Sequence, residues 1–537
     1  MMSSLFGGRA LARKHVWGIV FAFFVGILVL APQIIFIVNE GSHYKGFYMM
    51  KTESEPFYLA RMHEFYDEGR IGSPFLFEHK FYGPQFMPSG GETILAIPGK
   101  LLGISIPTLN LIYKFLLPAI TFLLLYALIF RLTASYAWSI AGGLFFLVGS
   151  SWLYAINLSH LLRGDTGFFD GFVYNRPVHP QFDGIITFLY FNVLLSAHKS
   201  QSIRWLIILG ALLGLSFYTY FYSFTFFLAL NFVFAFLWYF SGKMVRVKNL
   251  TFATIGGLLI GTPQLLAIYA ATQHANYALL ASIQPPEYGH MPEISKNGLL
   301  VSLIFVAYFF RTKAEPVIGV IREHWLFLAG LLVTTFIVVN QQVITGVSLF
   351  SGHYHHTFNI PIFVIVLTFI ASAIFLRLTQ SYPRFKKIFS ALPWIASGIF
   401  IATGIFIQYS SYQNWAPQTS REQRYMPAFS WLRGNTAKES VVMANEGLSQ
   451  LIPVFTENNV MWSNIYAPGF LMPADRAQFT PENLLRSNDF LRYIKSSPYQ
   501  LDYILWDKEA DPQWAIDRFH LPLVFSSEGL IIYQFPK

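Results

Sequence analysis

Apolar residues fall along this chain in blocks long enough to cross a bilayer, separated by basic turns and by loops carrying acids, imidazoles and prolines. The first block runs from Val16 to Val38. Others lie at about 108–130, 136–158, 182–198, 250–271, 298–310, 325–339, 358–376 and 388–408. A spanning helix needs about 20 apolar residues to cross a hydrocarbon core of about 30 Å. The apolar stretch 205–241 is too long for one such crossing. Basic residues at both of its ends (Lys199 and Arg204, then Lys243, Arg246 and Lys248) favour two spans turning near SFYTYFY. The pattern therefore predicts a polytopic α-helical membrane protein of about eleven spans.

Past Tyr409 the pattern changes. VVMAN, NVMWSN, LDYILWD and LIIYQF read as β-strands, and PENLLRSNDFLRYI as helical. The expected division is a transmembrane domain over 1–408, with a long outer loop at 39–107, and a soluble α/β domain over 409–537. That domain has no glycine-rich phosphate loop, which disfavours nucleotide binding. Arg9, Arg13 and Lys14 precede the first span, so the N-terminus is expected in the cytoplasm. The block is too long for a signal-peptide core and has no small-residue cleavage site. The chain is thus expected in the cytoplasmic (inner) membrane, with its C-terminal domain extracytoplasmic.

Composition sharpens the class. Hydrophobic residues make up 54% and charged residues 12%, against about 25% charged in soluble domains. With no cysteine, disulfides, thiolate zinc sites and iron–sulfur clusters are excluded. No basic aromatic platform suggests nucleic acid.

Four outer features carry candidate chemistry. The first is Lys51 to Asp67, KTESEPFYLARMHEFYD. Ser54 suits an N-cap, Pro56 a first turn and Gly69 an exit. Tyr58, Met62, Phe65 and Tyr66 form an apolar stripe, as on a helix lying along a membrane surface. Glu53 and Glu55 at its start are candidates for a base or a divalent-cation ligand, or are simply caps. The second is RGDTGFFDG, where Asp165 beside glycine reads as a turn former or a pocket residue. The third is RPVHPQ, where Arg176 suits a phosphate or a snorkelling role and His179 stands beside it. The fourth is GHYHH, whose His353, His355 and His356 suit phosphate binding, acid–base work or interfacial hydrogen bonding. Their spacing matches no established metal signature. Lys114, Asn192 and Asn231 lie inside apolar blocks and must face a partner or a cavity.

The order of these parts resembles the GT-C class of integral-membrane glycosyltransferases. TESEPFYLARMHEFYDEG is similar to the acidic first-loop segment of that class, in which an Asp or Glu, often in an adjacent acidic pair, acts as catalytic base. RPVHPQF, NQQVITG and GHYHHTF look like stretches that recur in bacterial membrane proteins of this type. WLRGNTAKESVVMANEG is similar to the start of their C-terminal domains. The chain departs from the class in lacking the Asp: Ser54 separates Glu53 from Glu55. The resemblance implies a polyprenyl-phosphate-sugar donor and an inverting transfer to an acceptor hydroxyl at the outer leaflet. Glu53 or Glu55 would be the base. Arg176 with His353, His355 and His356 would steady the leaving phosphate, and His179 and Asp165 would shape the pocket. The acceptor stays open between glycan, lipid and protein. The alternative reading is a transporter or lipid-head-group-binding protein without catalysis.

Overall fold

In the computed structural model, the described residues are 9–50, 54–77, 87–200, 202–283, 287–314, 324–348, 350–463, 480–486 and 490–536. Among the described residues, seven helices are long and apolar enough to cross a membrane: His15–His43, Ile106–Thr133, Phe221–Phe240, Met244–Thr272, Trp325–Thr345, Ser351–Ser381 and Pro383–Glu422. Tyr136–Leu147 and Ile203–Thr219 are apolar but shorter. The chain is an integral membrane protein, against an expectation of about eleven spans. The chain forms two compact units. One comprises Met1–Pro32, Ile112–Thr262 and Pro286–Gln413; the other comprises Gln33–Leu111, Pro263–Pro285 and Asn414–Lys537.

In the first unit the long apolar stretch after Lys199 is two helices, Ile203–Thr219 and Phe221–Phe240, broken at Tyr220. Tyr220 has φ −150° and ψ 124°, an extended conformation that ends one helix and starts the next. The block expected over 136–158 stops at Leu147. A 3₁₀ turn, Ser150–Leu153, and a separate helix, Ala155–Arg163, follow it. Two further irregular turns are of π type, Pro177–Phe182 before Asp183–Lys199 and His355–Asn359 before Ile360–Ser381. The last long helix runs from Lys386 to Glu422 and so continues through position 409, where the soluble domain was expected to begin.

Small residues set how closely these helices approach. A Cβ on Gly210 would stand 2.8 Å from the Ala253 carbonyl oxygen, and one on Gly214 would stand 2.6 Å from Ile260. From the opposite helix, Gly257 faces Leu213 at 2.7 Å and Gly261 faces Phe217 at 2.4 Å. Helices in lipid gain stability from such close packing, because the hydrophobic effect gives little preference for helix over lipid. Polar side chains inside the helices close on one another. Asn231 accepts from the Tyr190 hydroxyl at 2.7 Å and donates to Thr254 Oγ1 at 3.0 Å.

The second unit is built on a five-stranded sheet in the order Asn459–Val460, Val441–Met443, Tyr503–Asp507, Leu530–Gln534 and Leu523–Ser527. The first two pairings are parallel and the last two antiparallel. Trp506, Trp514, Phe490, Ile504 and Met461 fill its core. NVMWSN was expected as a strand; only Asn459–Val460 is one, and Asn464 lies outside the described residues. The helix Ser54–Glu68 packs against Gly90–Leu102 and Glu446–Phe455. It is not the surface helix expected from its stripe. Phe57, Leu59, Ala60, Arg61, Met62 and Glu64 are all buried, whereas Tyr58, Phe65 and Tyr66 are half-buried. Its burial is made tolerable by pairing: Arg61 Nε stands 3.1 Å from Glu92 Oε1, and Arg61 Nη2 donates to the Pro88 carbonyl at 2.9 Å. Gly69, at φ +73°, ends the helix by donating its N–H to the Phe65 carbonyl.

Two outcomes follow. Gly210→Val drives a branched side chain into the Ala253 backbone, and the cost is about 1–3 kcal/mol, read as a lower unfolding temperature in detergent. Glu92→Gln leaves the Arg61 guanidinium buried without its counter-charge, and removing one partner of such a pair costs about 3–5 kcal/mol. The same thermal melt checks it; an unchanged midpoint would show that Arg61 does not depend on Glu92.

Candidate active site

In the second unit the acidic segment buries two carboxylates, Glu55 and Glu64. Glu55 lies in the first turn of the Ser54–Glu68 helix, where the positive end of the helix dipole favours an ionised carboxylate. Glu55 is 2% exposed. Asn110, from the start of the Ile106–Thr133 helix, donates its side-chain amide to Glu55 Oε1 at 2.6 Å and to the Tyr48 hydroxyl at 2.9 Å. Burial pushes the Tyr48 phenol well above its usual range, and the neighbouring Glu55 carboxylate pushes it the same way. Tyr48 therefore keeps its proton beside an anion. Glu53 lies outside the described residues. The other acids of the segment have structural work. Glu64 Oε2 accepts from the Gly72 N–H at 2.8 Å, and Glu68 pairs with Lys438 at 2.8 Å.

In the first unit the two irregular turns and the Tyr220 break bring side chains together. His179, 5% exposed, is hydrogen-bonded through Nδ1 to the fully buried Asp183, the first residue of the helix that follows. That bond fixes the imidazole plane. The His179 ring stacks on Tyr220 with centroids 4.5 Å apart. The Tyr220 hydroxyl in turn lies 2.6 Å from His353 Nδ1, and His353 stacks on Tyr222 at 4.4 Å. Arg176, His179 and His356 all lie within electrostatic range of His353. Arg176, His179, Tyr220 and His353 thus form one polar, aromatic-walled group.

The three histidines of GHYHH do not act as one cluster. His355 Nε2 is held 2.8 Å from Glu293 Oε1, and its Nδ1 is 3.3 Å from Asn359. His356 Nδ1 meets the Tyr154 hydroxyl at 2.9 Å. Consecutive residues on a helical turn point about 100° apart, so adjacent histidines reach different neighbours. Among the described residues, no group of three His, Asp or Glu side chains is placed to hold a metal ion. Asp165 takes the turn-forming role: it accepts from the Gly167 N–H at 3.1 Å and is bonded to His160 Nδ1 at 2.8 Å. The His160 hydrogen bond holds its carboxyl below the usual carboxylate range.

Sequence reasoning did not identify Asn110, Tyr48, Asp183, Tyr220 or Glu293. Asp183 carried a readable signal, four residues after His179 and at the head of a helix. Tyr220 carried another, inside the motif that breaks the long apolar stretch. Glu293 is 62 positions from His355, and no local pattern joins them.

No protein-family model matches the chain, and no curated protein matches it. Solved structures do. The chain aligns over 98% of its length with 98% of apo ArnT from Cupriavidus metallidurans, at 11% identity and a TM-score of 0.54. It aligns over 97% of its length with 98% of the same enzyme bound to undecaprenyl phosphate, again at 11% identity, with a TM-score of 0.53. From end to end the chain is similar in fold to ArnT, and the architecture is the GT-C one that its sequence resembles.

Proposed function

We propose that this protein is a membrane glycosyltransferase that moves a sugar from a polyprenyl-phosphate donor to an acceptor hydroxyl, with inversion. The observation that carries the reading is Glu55, a buried carboxylate at a helix N-terminus, held by an amide, in a chain that shares its whole fold with ArnT. The ArnT structure named above holds undecaprenyl phosphate, and a lipid phosphate of that kind is the leaving group proposed here.

Glu55 removes the proton from the acceptor hydroxyl as the oxygen attacks the anomeric carbon. The bond from that carbon to the phosphate oxygen breaks, and the electron pair leaves with the lipid phosphate. Asn110 keeps one oxygen of Glu55 in place. Glu53, two positions earlier, is the other candidate for the same proton. Arg176 offers paired N–H donors for the phosphate oxygens, as guanidinium groups do. His353 and His179 supply imidazoles beside it, on supports that Tyr220 and Asp183 fix. His355 and His356 are held by Glu293 and Tyr154 respectively. A divalent cation is not required by this scheme. The chain is proposed to lie in the cytoplasmic membrane with this chemistry at its outer face.

A transporter reading is less well supported. Asn192 and Asn231 do not line an open path; each is tied to neighbouring helices. Arg131 donates to the Asn192 carbonyl at 2.7 Å, which closes that network as well.

Transfer from a radiolabelled polyprenyl-phosphate sugar by the purified chain tests the proposal. Glu55→Gln lowers the rate on the order of 10²–10⁴, the usual contribution of a general base, with an unchanged melt. If Glu55→Gln keeps full activity while Glu53→Gln loses it, the base is Glu53; if both keep it, the assignment falls. Arg176→Ala lowers the rate on the order of 10²–10³, in line with losing a preorganised charge-stabilising donor. Asp165→Asn leaves it unchanged, because its carboxylate shapes a turn.

A further inference from the structure

The Asp183–Lys199 helix has 17 residues. Its far end therefore lies about 25 Å from Asp183, well away from the Arg176 and His353 group. That end carries a second polar cluster for which the proposed reaction has no use. His198 is 6% exposed and His324 is 1% exposed. Arg246, Lys243, Lys199 and His324 lie within electrostatic range of His198, and Lys199 and Arg131 lie within range of His324. Among the described residues, every charge acting on either imidazole is a cation or the other imidazole. Like charges concentrated at one end of a helical unit repel one another unless an anion joins them.

The cluster is built, and its parts are fixed. Arg131 donates to the Asn192 carbonyl at 2.7 Å and to Ser196 Oγ at 2.8 Å, which holds its guanidinium in one place. The Trp238 indole N–H donates to His198 Nδ1 at 3.2 Å. An indole nitrogen only donates, so His198 Nδ1 is an acceptor and the ring's own N–H is on Nε2. A neutral imidazole with Nε2–H is a donor, as are the guanidinium and ammonium groups around it. Beside it, Ser200, Trp238, Arg246 and Asn249 line a crevice. The turns that supply Lys199, Lys243 and Arg246 read KSQSIR at 199–204 and SGKMVRVK at 241–248, and neither contains a carboxylate; in sequence, His324 follows Glu323.

We propose that this cluster binds a phosphate anion, with the phosphodiester of an anionic phospholipid as the occupant that a membrane supplies. Basic groups at helix ends attract anionic lipid head groups, and pockets between helices bind them specifically. Arg246 at the crevice, with Lys243 on the same turn, would meet the phosphate oxygens, and His198 Nε2–H would donate to one of them. The site lies apart from Arg176, His179 and His353, so it would tie the protein to anionic lipid without entering the chemistry proposed there.

Native mass spectrometry of the detergent-purified full chain tests this, with phosphatidylglycerol, phosphatidylethanolamine and inorganic phosphate as probes. The wild type should retain phosphatidylglycerol roughly tenfold or more over phosphatidylethanolamine. Lys243→Gln combined with Arg246→Gln should abolish that preference, and Arg204→Gln, an exposed basic residue outside the cluster, should leave it intact. Displacement of the lipid by millimolar inorganic phosphate would assign recognition to the phosphate alone. Lipid retained against phosphate would assign it to the phosphate together with the lipid. Equal retention of the two lipids by the wild type would overturn the proposal whether or not the double variant folds, as would a double variant that keeps the preference.

Discussion

Apolar surroundings cannot hydrogen-bond to a backbone, so every stretch of this chain that enters them must satisfy its own N–H and C=O groups. Helices do this cheaply, and departures from the helix are tolerated only where protein covers them. Three departures in the first unit are Pro177–Phe182, Tyr220 and His355–Asn359. Pro177 to Phe182, Thr357, Phe358 and Asn359 are buried, whereas Tyr220 and His355 are half-buried and His356 is exposed. They are also where His179, Tyr220 and His353 meet. An irregular turn frees side chains from the regular 100° rotation, and that freedom lets an imidazole, a phenol and a second imidazole converge. Polar chemistry and broken helix therefore share one cause.

The second unit handles charge differently. It buries whole acidic and basic groups and covers each with a fixed partner. Arg61 and Glu92, 1% and 0% exposed, neutralise one another beneath the Ser54–Glu68 helix. Glu55 sits at the head of the same helix with a neutral amide, Asn110, on one oxygen and a phenol that stays protonated nearby. Arg61 and Glu92 fix the helix that carries Glu55 at its head.

Much of this was legible in the sequence, and what escaped has physical reasons. The long apolar stretch after Lys199 had to turn, and SFYTYFY is where it does, because the length of a bilayer crossing is a hard limit. Asp165 reads as a turn former next to glycine and behaves as one. The Ser54–Glu68 helix was visible in its end signals, yet its stripe misled. A stripe reports only the most apolar face, and Arg61 and Glu64 are buried because Glu92 and the Gly72 N–H, distant or downstream in sequence, meet them. Apolar content alone does not distinguish a long helix from a short one such as Tyr136–Leu147, so the block expected over 136–158 ends earlier. The boundary expected at 409 falls within a helix. The helix from Lys386 keeps its backbone pattern through Glu422 while its side chains turn polar, so composition changes before structure does.

The polar residues inside the apolar helices are tied to fixed partners. A transport path needs polar groups that exchange partners as a substrate moves, each with alternatives close in energy. Asn231 is instead fixed between Tyr190 and Thr254, and Asn192 between Leu124, Phe188 and Arg131. Gly210, Gly214, Gly257 and Gly261 lock the neighbouring helices at distances where no side chain fits. Close-packed helices with satisfied polar groups resist rearrangement, because any sliding would bury unpaired amides in an apolar interior. Such a scaffold holds Tyr220 and Asp183 still, and through them the two imidazoles whose placement decides what the irregular turns can bind.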